Sequence, residues 1–255
     1  MRNNILEVCV DSVESALAAK AGGATRLELC ANLVIGGTTP SLSLLKAVKG
    51  ETGLPVHALL RPRFGDFLYT DREFSLMLED GEALLEAGAD ALVSGCLTPD
   101  GELDTPRMER LISLAHIRGK KFTLHRAFDV CQDPFAALKS CREWGVDTVL
   151  TSGQAPSCVE GIDLLKELFA EAGAVELLLG AGVNAGAICR VRQEIPQANC
   201  FHMSGKEVLE SGMVYRKEGI HMGLQGFGEP CLSEFEIWRT SEEVIRAAWE
   251  ELNRA

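Results

Sequence analysis

Aromatic side chains are scarce in this chain: they account for 6% of its 255 residues, whereas hydrophobic residues of all kinds account for 46%. Alanine, valine, leucine and glycine therefore supply most of the packing material, which suits helices packed closely on a buried sheet. No stretch approaches the roughly 18 uncharged apolar residues that a membrane-spanning helix needs. The sequence also lacks a linker or low-complexity segment, so one domain over residues 1–255 is the simplest prediction.

Positive charge is in short supply as well. The 25 lysines and arginines face 37 aspartates and glutamates, which gives a formal net charge of −12. Such a surface repels phosphate backbones and anionic lipid headgroups, so neither a nucleic acid nor a membrane is expected as a partner.

The nine cysteines form no CxxC pair. The segment MRNNILEVCV at the N-terminus has no long apolar run followed by a small-residue cleavage site. Together these absences favour a reduced, cytoplasmic protein with free thiols over a disulfide scaffold.

What the chain does contain is a regular alternation of short apolar runs with amphipathic stretches. The apolar runs predict eight strands, at 5–10, 26–31, 55–61, 91–97, 121–128, 148–153, 175–182 and 199–205. The amphipathic stretches predict helices at 12–21, 41–49, 71–87, 105–118, 134–144, 159–172, 185–195 and 242–252. A long 206–240 segment follows strand eight, and a homo-oligomer could form through it.

Strict alternation of strands and helices requires a parallel sheet, because each helix is a crossover connection. Eight such units in about 250 residues is the usual size of a closed (β/α)₈ TIM barrel. A doubly wound open sheet is the alternative, but the VDSVES that follows the first strand has no glycine-rich fingerprint. The sequence therefore predicts an α/β barrel.

Strand parity predicts a polar barrel lumen. Glu7 and Cys9 share one face of the first strand and Glu28 and Cys30 one face of the second, while the opposite, aliphatic faces suit contact with the helices. The same alternation in other strands completes a predicted catalytic set of Glu7, Glu28, Arg61, His125, Asp129 and His202. Histidine and a raised-pKa glutamate move protons near neutral pH, and arginine holds an anion. The alternative is a buried ion-pair network that only fills the barrel.

The loops at the same end of the barrel predict an anion site. RPRFGDFLYTDRE, after strand three, is either an anion-binding lid or a surface loop held by its own salt bridges. The glycines of GAGVN and HMSG either let backbone N–H groups approach a phosphate or simply permit tight turns. The residues expected at this site are Arg63, Asp66, Gly180, Gly182, Asn184, Ser204 and Gly205.

Soft metal donors form a third pattern. Cys9 and Cys30 occupy equivalent places in LEVC and LELC, in strands expected to lie about 4.8 Å apart. In the right register two thiolates could share one Cu(I), with Met203, Met213 and Met222 as further donors. The alternative is that these side chains only fill gaps in the core.

Between about residue 5 and residue 222 the chain contains, in this order, the segments LEVCVDSVESALAAKAGGATRLELCANLVIGGTTPS, RPRFGDFLYTDRE, FTLHRAFD, VLTSG, HMSG and SGMVYR. Together they resemble the CutC family. The resemblance implies a (β/α)₈ barrel, a cytoplasmic location and a role in copper homeostasis, with Cu(I) on Cys9 and Cys30. Phe64 and Ala181 depart from it, since the family usually has glycine at both places.

Two functional hypotheses follow. The first is a cytoplasmic copper-homeostasis protein that binds Cu(I) through Cys9 and Cys30. The second is a metal-independent barrel enzyme that acts on a small anionic or phosphorylated metabolite. A further alternative is a scaffold whose pocket has no activity.

Overall fold

Eight parallel strands, adjacent in chain order, close into a barrel in the computed structural model, which describes residues 4–217, 219 and 233–254. This confirms the predicted TIM barrel. The closing pair is the first strand against the eighth, with Glu7 opposite His202. The strands are β1 (Ile5–Val10), β2 (Arg26–Leu29), β3 (Val56–Leu59), β4 (Ala91–Ser94), β5 (Lys121–Leu124), β6 (Thr148–Thr151), β7 (Glu176–Leu179) and β8 (Cys200–Met203).

Each barrel strand in the described chain is followed by a helix, and each predicted helix is confirmed to within a few residues. Local start signals explain the agreement: the Asp104 and Asp133 side chains accept N–H groups of the first turn, and proline follows each of them. Gly23 ends the first helix in the left-handed conformation, with φ of 104°. The helices are α1 (Val13–Gly22), α2 (Leu42–Thr52), α3 (Asp71–Glu86), α4 (Thr105–His116), α5 (Pro134–Trp144), α6 (Ile162–Glu171), α7 (Ala185–Glu194) and α8 (Glu242–Leu252).

The strand faces divide as parity predicted. Leu6, Val8, Leu27 and Leu29 are fully buried in the core between the barrel and its helices. Burying one such side chain stabilises the fold by about 1.5–3 kcal/mol. The alternate residues face the lumen, and there the barrel carries charged side chains.

Most strands end earlier than the sequence predicted. The prediction of a strand over 121–128 is wrong beyond Leu124, because a 3₁₀ helix occupies Arg126–Val130. The cause is local: Ala127 N donates a hydrogen bond of 3.1 Å to His125 Nδ1, which turns the chain away from the sheet. Asp129 is therefore not placed by strand alternation.

The segment after β8 contains two strands that the sequence did not predict. β9 (Lys206–Glu210) and β10 (Glu236–Thr240) pair antiparallel, and this two-stranded ribbon is separate from the barrel sheet. The N–H of Thr240 donates to Ser15 Oγ at 3.2 Å, which attaches the ribbon to α1. Residues 218 and 220–232 of the segment, with the expected donor Met222, lie outside the described residues. No helix in the described ranges is long and apolar enough to cross a bilayer.

Candidate functional site

A cavity of about 530 Å³ opens at the carboxyl ends of the strands. Its walls include Cys9 of β1, Glu28 of β2 and His202 of β8, together with Arg61 and His125 just beyond β3 and β5. The structure thus brings these five predicted residues to the end of the barrel where TIM-barrel active sites lie.

Glu7 lies within the barrel, 1% exposed, and joins three basic side chains. Its carboxylate is 2.5 Å from Arg26 Nε, 2.8 Å from His202 Nδ1 and 3.5 Å from His57 Nδ1. Burial alone would raise the pKa of Glu7, but Arg26 and His202 hold that pKa well below its usual range. Glu7 is therefore an anion at neutral pH, and its oxygen accepts the hydrogen bond from His202 Nδ1–H.

Arg26 is one of the residues of this network that sequence reasoning missed. It is 6% exposed and bridges Glu7 to Glu176, whose carboxylate lies 3.0 Å from Nη1. The signal was present, since Arg26 has the same strand parity as Glu28.

Above this network lies a second cluster, made of Cys9, Glu28 and His202. One donor atom from each lies within 4.8 Å of the other two, and His202 Nε2 is 3.9 Å from Glu28 Oε2. Burial, reinforced by the Glu7 charge, raises the pKa of Glu28 to about 7. Although burial opposes it, the neighbouring Cys9 and Glu28 raise the pKa of His202 well above its usual value. The cluster can therefore exchange protons near neutral pH or hold a metal ion.

Cys30 does not belong to this cluster. The strand register places Cys9 opposite Glu28, so the expectation that Cys9 and Cys30 sit at equivalent places is wrong by two residues. Cys30 Sγ donates to Val10 O at 3.6 Å, and the side chain packs with Leu59 in a small apolar group. Burial raises the pKa of this thiol far above its usual value.

Arg61 and His125 form a third feature, a pair of buried donors. Arg61 Nη1 and Nη2 donate to the carbonyls of Gly37 and Gly65 at 3.1 and 2.8 Å, while Nε has no partner among the described residues. His125 is neutral, because burial and the Arg61 charge lower its pKa to about 3. Since Nδ1 accepts from Ala127 N, the ring proton is on Nε2, which is also buried and without a partner in the described chain.

The residues that form these clusters lie within the match to one family model. The CutC family model matches residues 4–206. The chain belongs to the CutC family. CutC of Bacteroides fragilis strain YCH46 is 45% identical to it over 240 residues, 92% of either chain. CutC of Salmonella schwarzengrund is 44% identical over 220 residues, 86% of either chain.

A solved structure agrees with this assignment. The crystal structure named "Putative Copper Homeostasis Protein CutC from Streptococcus agalactiae" is 30% identical, with a TM-score of 0.73, and the match covers 79% of this chain and 99% of that one. The matched CutC region contains the whole of both luminal clusters and ends at Lys206, the first residue of β9.

Three further predicted residues, Arg63, Asp66 and Asp129, hold loops together. Arg63 is 2.6 Å from Glu73 and 3.0 Å from Asp66, and it also donates to Leu68 O at 2.9 Å. The RPRFGDF loop is thus held by its own salt bridges, and neither Arg63 nor Asp66 lines the cavity. Asp129 likewise lies off the cavity, where it accepts from Thr151 Oγ1 at 2.6 Å.

Some residues of the loops after β7 and β8 line the cavity, and others hold the surrounding fold together. Gly182 and Ser204 line the cavity. Asn184 instead caps α7 by accepting from Ala187 N at 3.0 Å, and Gly205 packs against α8 with φ of 54°. Ala181 lines the cavity at φ of 68°, a conformation that favours glycine.

Proposed function

We propose that this CutC-family chain is a barrel enzyme that binds a small oxyanion-bearing metabolite and exchanges a proton with it. The observation that carries the proposal is the pair of unpartnered donors, Arg61 Nε and His125 Nε2, on side chains that line the cavity. A buried donor without an acceptor costs about 1–3 kcal/mol. An oxyanion or carbonyl oxygen of a ligand that reached either atom would remove that cost there.

The charge of the cavity supports an anionic ligand. Arg61, Arg126 and Lys206 line it, and the one carboxylate in its described lining is Glu28. Because Glu28 has a pKa of about 7, it is partly protonated at neutral pH. The cavity is therefore positive within a chain whose net charge is −12, which concentrates small anions there.

Glu28 and His202 are the proposed acid–base groups. Glu28 has the pKa of a group that both accepts and releases a proton at neutral pH. His202 is oriented by Glu7, so Nε2 is the nitrogen left to exchange its proton with Glu28 or a ligand.

Calorimetric titration with inorganic phosphate and with malonate tests the oxyanion site. Removing one donor in His125→Leu should weaken binding about tenfold or more, since a hydrogen bond to a charged group is worth roughly 1.5–3 kcal/mol. Arg63→Met is the matched control, because Arg63 is in the same loop as Arg61 but contacts only that loop and Glu73. Absence of binding to the native chain, or equal losses in both variants, would contradict the proposal.

Copper handling is the second candidate, and it rests on the Cys9–Glu28–His202 cluster. Thiolate and imidazole are donors that copper accepts, whereas a carboxylate suits harder ions. The copper homeostasis named for the Streptococcus agalactiae structure supports the same assignment. The cargo would then be held by Cys9 and His202 with Glu28 beside them.

Anaerobic Cu(I) titration against a competing chelator separates the two thiols. Cys9→Ser should lose tight binding, and Cys30→Ser should keep it, because Cys30 is not a member of the cluster and packs in an apolar group. Native affinity in Cys9→Ser would rule out this site. Loss of tight binding in both single variants would instead restore the hypothesis that Cys9 and Cys30 share one Cu(I).

We further propose a cytoplasmic location, because the eight cysteines in the described ranges are all free thiols. The homo-oligomer expected through the 206–240 segment stays a prediction. Val208 and Leu209 of the ribbon are 54% and 42% exposed, which makes this ribbon the surface to test by sedimentation.

A further inference from the structure

A thiol, a base and an orienting carboxylate are arranged in series at the cavity. Glu7 Oε1 accepts from His202 Nδ1 at 2.8 Å, which directs the other ring nitrogen away from Glu7. Cys9 Sγ lies within 4.8 Å of a His202 ring nitrogen. Nucleophile, base and a third group that orients the base are the parts of a catalytic triad. Apo distances in such sites commonly shorten when a substrate binds.

The same cavity provides the part that a triad needs in addition, a site for developing negative charge. Arg61 Nε and His125 Nε2 are buried donors with no acceptor among the described residues, and both side chains line the cavity together with Cys9. Preorganised donors of this kind stabilise the oxyanion of a tetrahedral intermediate.

Cys9 is distinguished from the other thiols by its position and not by its exposure. It is 6% exposed and, of the eight described cysteines, it is the one that lines this cavity. Cys189 on α7 is more exposed, and Gln193 is a side-chain neighbour in contact with its sulfur, at 3.7 Å. In the described chain Cys189 has no neighbouring imidazole base, and a side-chain hydrogen bond with Glu251 raises the pKa of its thiol.

We infer that Cys9 is a nucleophile for acyl transfer, with His202 as its base, Glu7 as the positioning residue, and Arg61 and His125 as the oxyanion donors. The substrate class is an activated ester or thioester of a small acid. The inference rests on the proposed oxyanion site and adds to it the bond that changes.

The reaction is a hydrolysis in two stages, with water as the second reactant. Cys9 Sγ forms a bond to the acyl carbon, its proton is held by His202, and the carbonyl electrons move onto the oxygen. When the oxyanion collapses, the bond to the leaving group breaks and the leaving group takes the proton. Water then adds to the thioester, and its acyl–sulfur bond breaks to give the acid and a regenerated Cys9.

The test is acetylation of the native chain by p-nitrophenyl acetate, followed by peptide mapping of each modified cysteine. Cys9 should be acetylated at least tenfold faster than Cys189, with a matching burst of nitrophenol. If exposure alone governed the reaction, Cys189 would be modified first, and that order would overturn the inference. The comparison is made within one molecule, so it does not depend on the folding of a variant.

Variants assign the roles. His202→Gln should slow Cys9 acetylation about a hundredfold, the usual size of a base contribution, and Glu7→Gln should lower the ratio of Cys9 to Cys189 rates. Cys30→Ser, the control, should leave that ratio unchanged. An unchanged ratio in His202→Gln would also overturn the inference.

Malonate separates this inference from the proposed function. Malonate should protect Cys9 and leave the Cys189 rate unchanged. If malonate binds while Cys9 is inert, the nucleophile is refuted and the anion site stands. Reactive Cys9 with no malonate binding would instead refute the anion site.

Discussion

Removing the charge of Glu7 without changing its shape, in Glu7→Gln, should destabilise the chain by about 3 kcal/mol. Breaking a buried ion pair by removing one partner typically costs about 3–5 kcal/mol, because the other charge is left buried. Arg26 keeps a second partner, Glu176, at 3.0 Å, so the lower end of that range applies. The measurement is the shift of the urea midpoint at pH 7.5, converted with the native m-value.

Glu176→Gln is the matched control, since it removes the other carboxylate of the same arginine. The side chain of Glu176 is 31% exposed and that of Glu7 is 1% exposed. Solvent compensates much of the loss at Glu176, so about 1 kcal/mol or less is expected there. Equal losses in the two variants, or a loss below about 1 kcal/mol for Glu7→Gln, would refute the view that Glu7 is the charge that holds this network together.

Two further predictions concern the cavity. In the folded chain the pKa of Glu28 is raised from 4.5 to about 7. Between these two pH values the folded chain keeps the proton of Glu28, whereas the unfolded chain has lost it. The free energy of unfolding therefore falls as the pH rises from 4.5 to about 7. Glu28→Gln should remove this loss and be more stable than the native chain by up to about 3 kcal/mol at pH 8, but not at pH 4, in urea melts; an unchanged difference between the two pH values would contradict it. Ala181 and Gly182 both have positive φ, 68° and 69°, a conformation that favours glycine. In the same assay Ala181→Gly should be neutral or stabilising by up to about 1 kcal/mol, and Gly182→Ala should destabilise by about 1–2 kcal/mol. Effects of the opposite sign would contradict the view that both positions favour glycine.

The fold could be predicted from the sequence because its periodicities repeat eight times. The outward residues of β1 and β2 form one aliphatic face and the inward ones a polar face, so parity identified the lumen before any contact was known. Strand ends were less predictable, since a hydrogen bond such as Ala127 N to His125 Nδ1 stops a strand without an apolar signal.

The sequence predicted which residues lie in the lumen, but it did not predict which of them lie opposite one another. Parity places Glu7, Glu28 and His202 in the lumen, but it does not say which residue of one strand lies opposite which residue of the next. That register is set by barrel closure and strand stagger, which depend on the whole sheet. It brought Glu28, and not Cys30, opposite Cys9.

Substitutions in the polar lumen can test whether its charged side chains serve stability or function. A buried ion pair can often be replaced by apolar residues of similar volume with little loss of stability, whereas removing one partner is costly. The variant Glu7→Leu/Arg26→Met should therefore be more stable than Glu7→Gln, since no buried arginine is left without the Glu7 carboxylate. It also removes the acceptor of His202 Nδ1–H, so His202 is no longer oriented toward Cys9. A double variant that is stable but has lost the preference for Cys9 over Cys189 would show that these charges position His202. One that keeps the preference would show that they only fill the barrel.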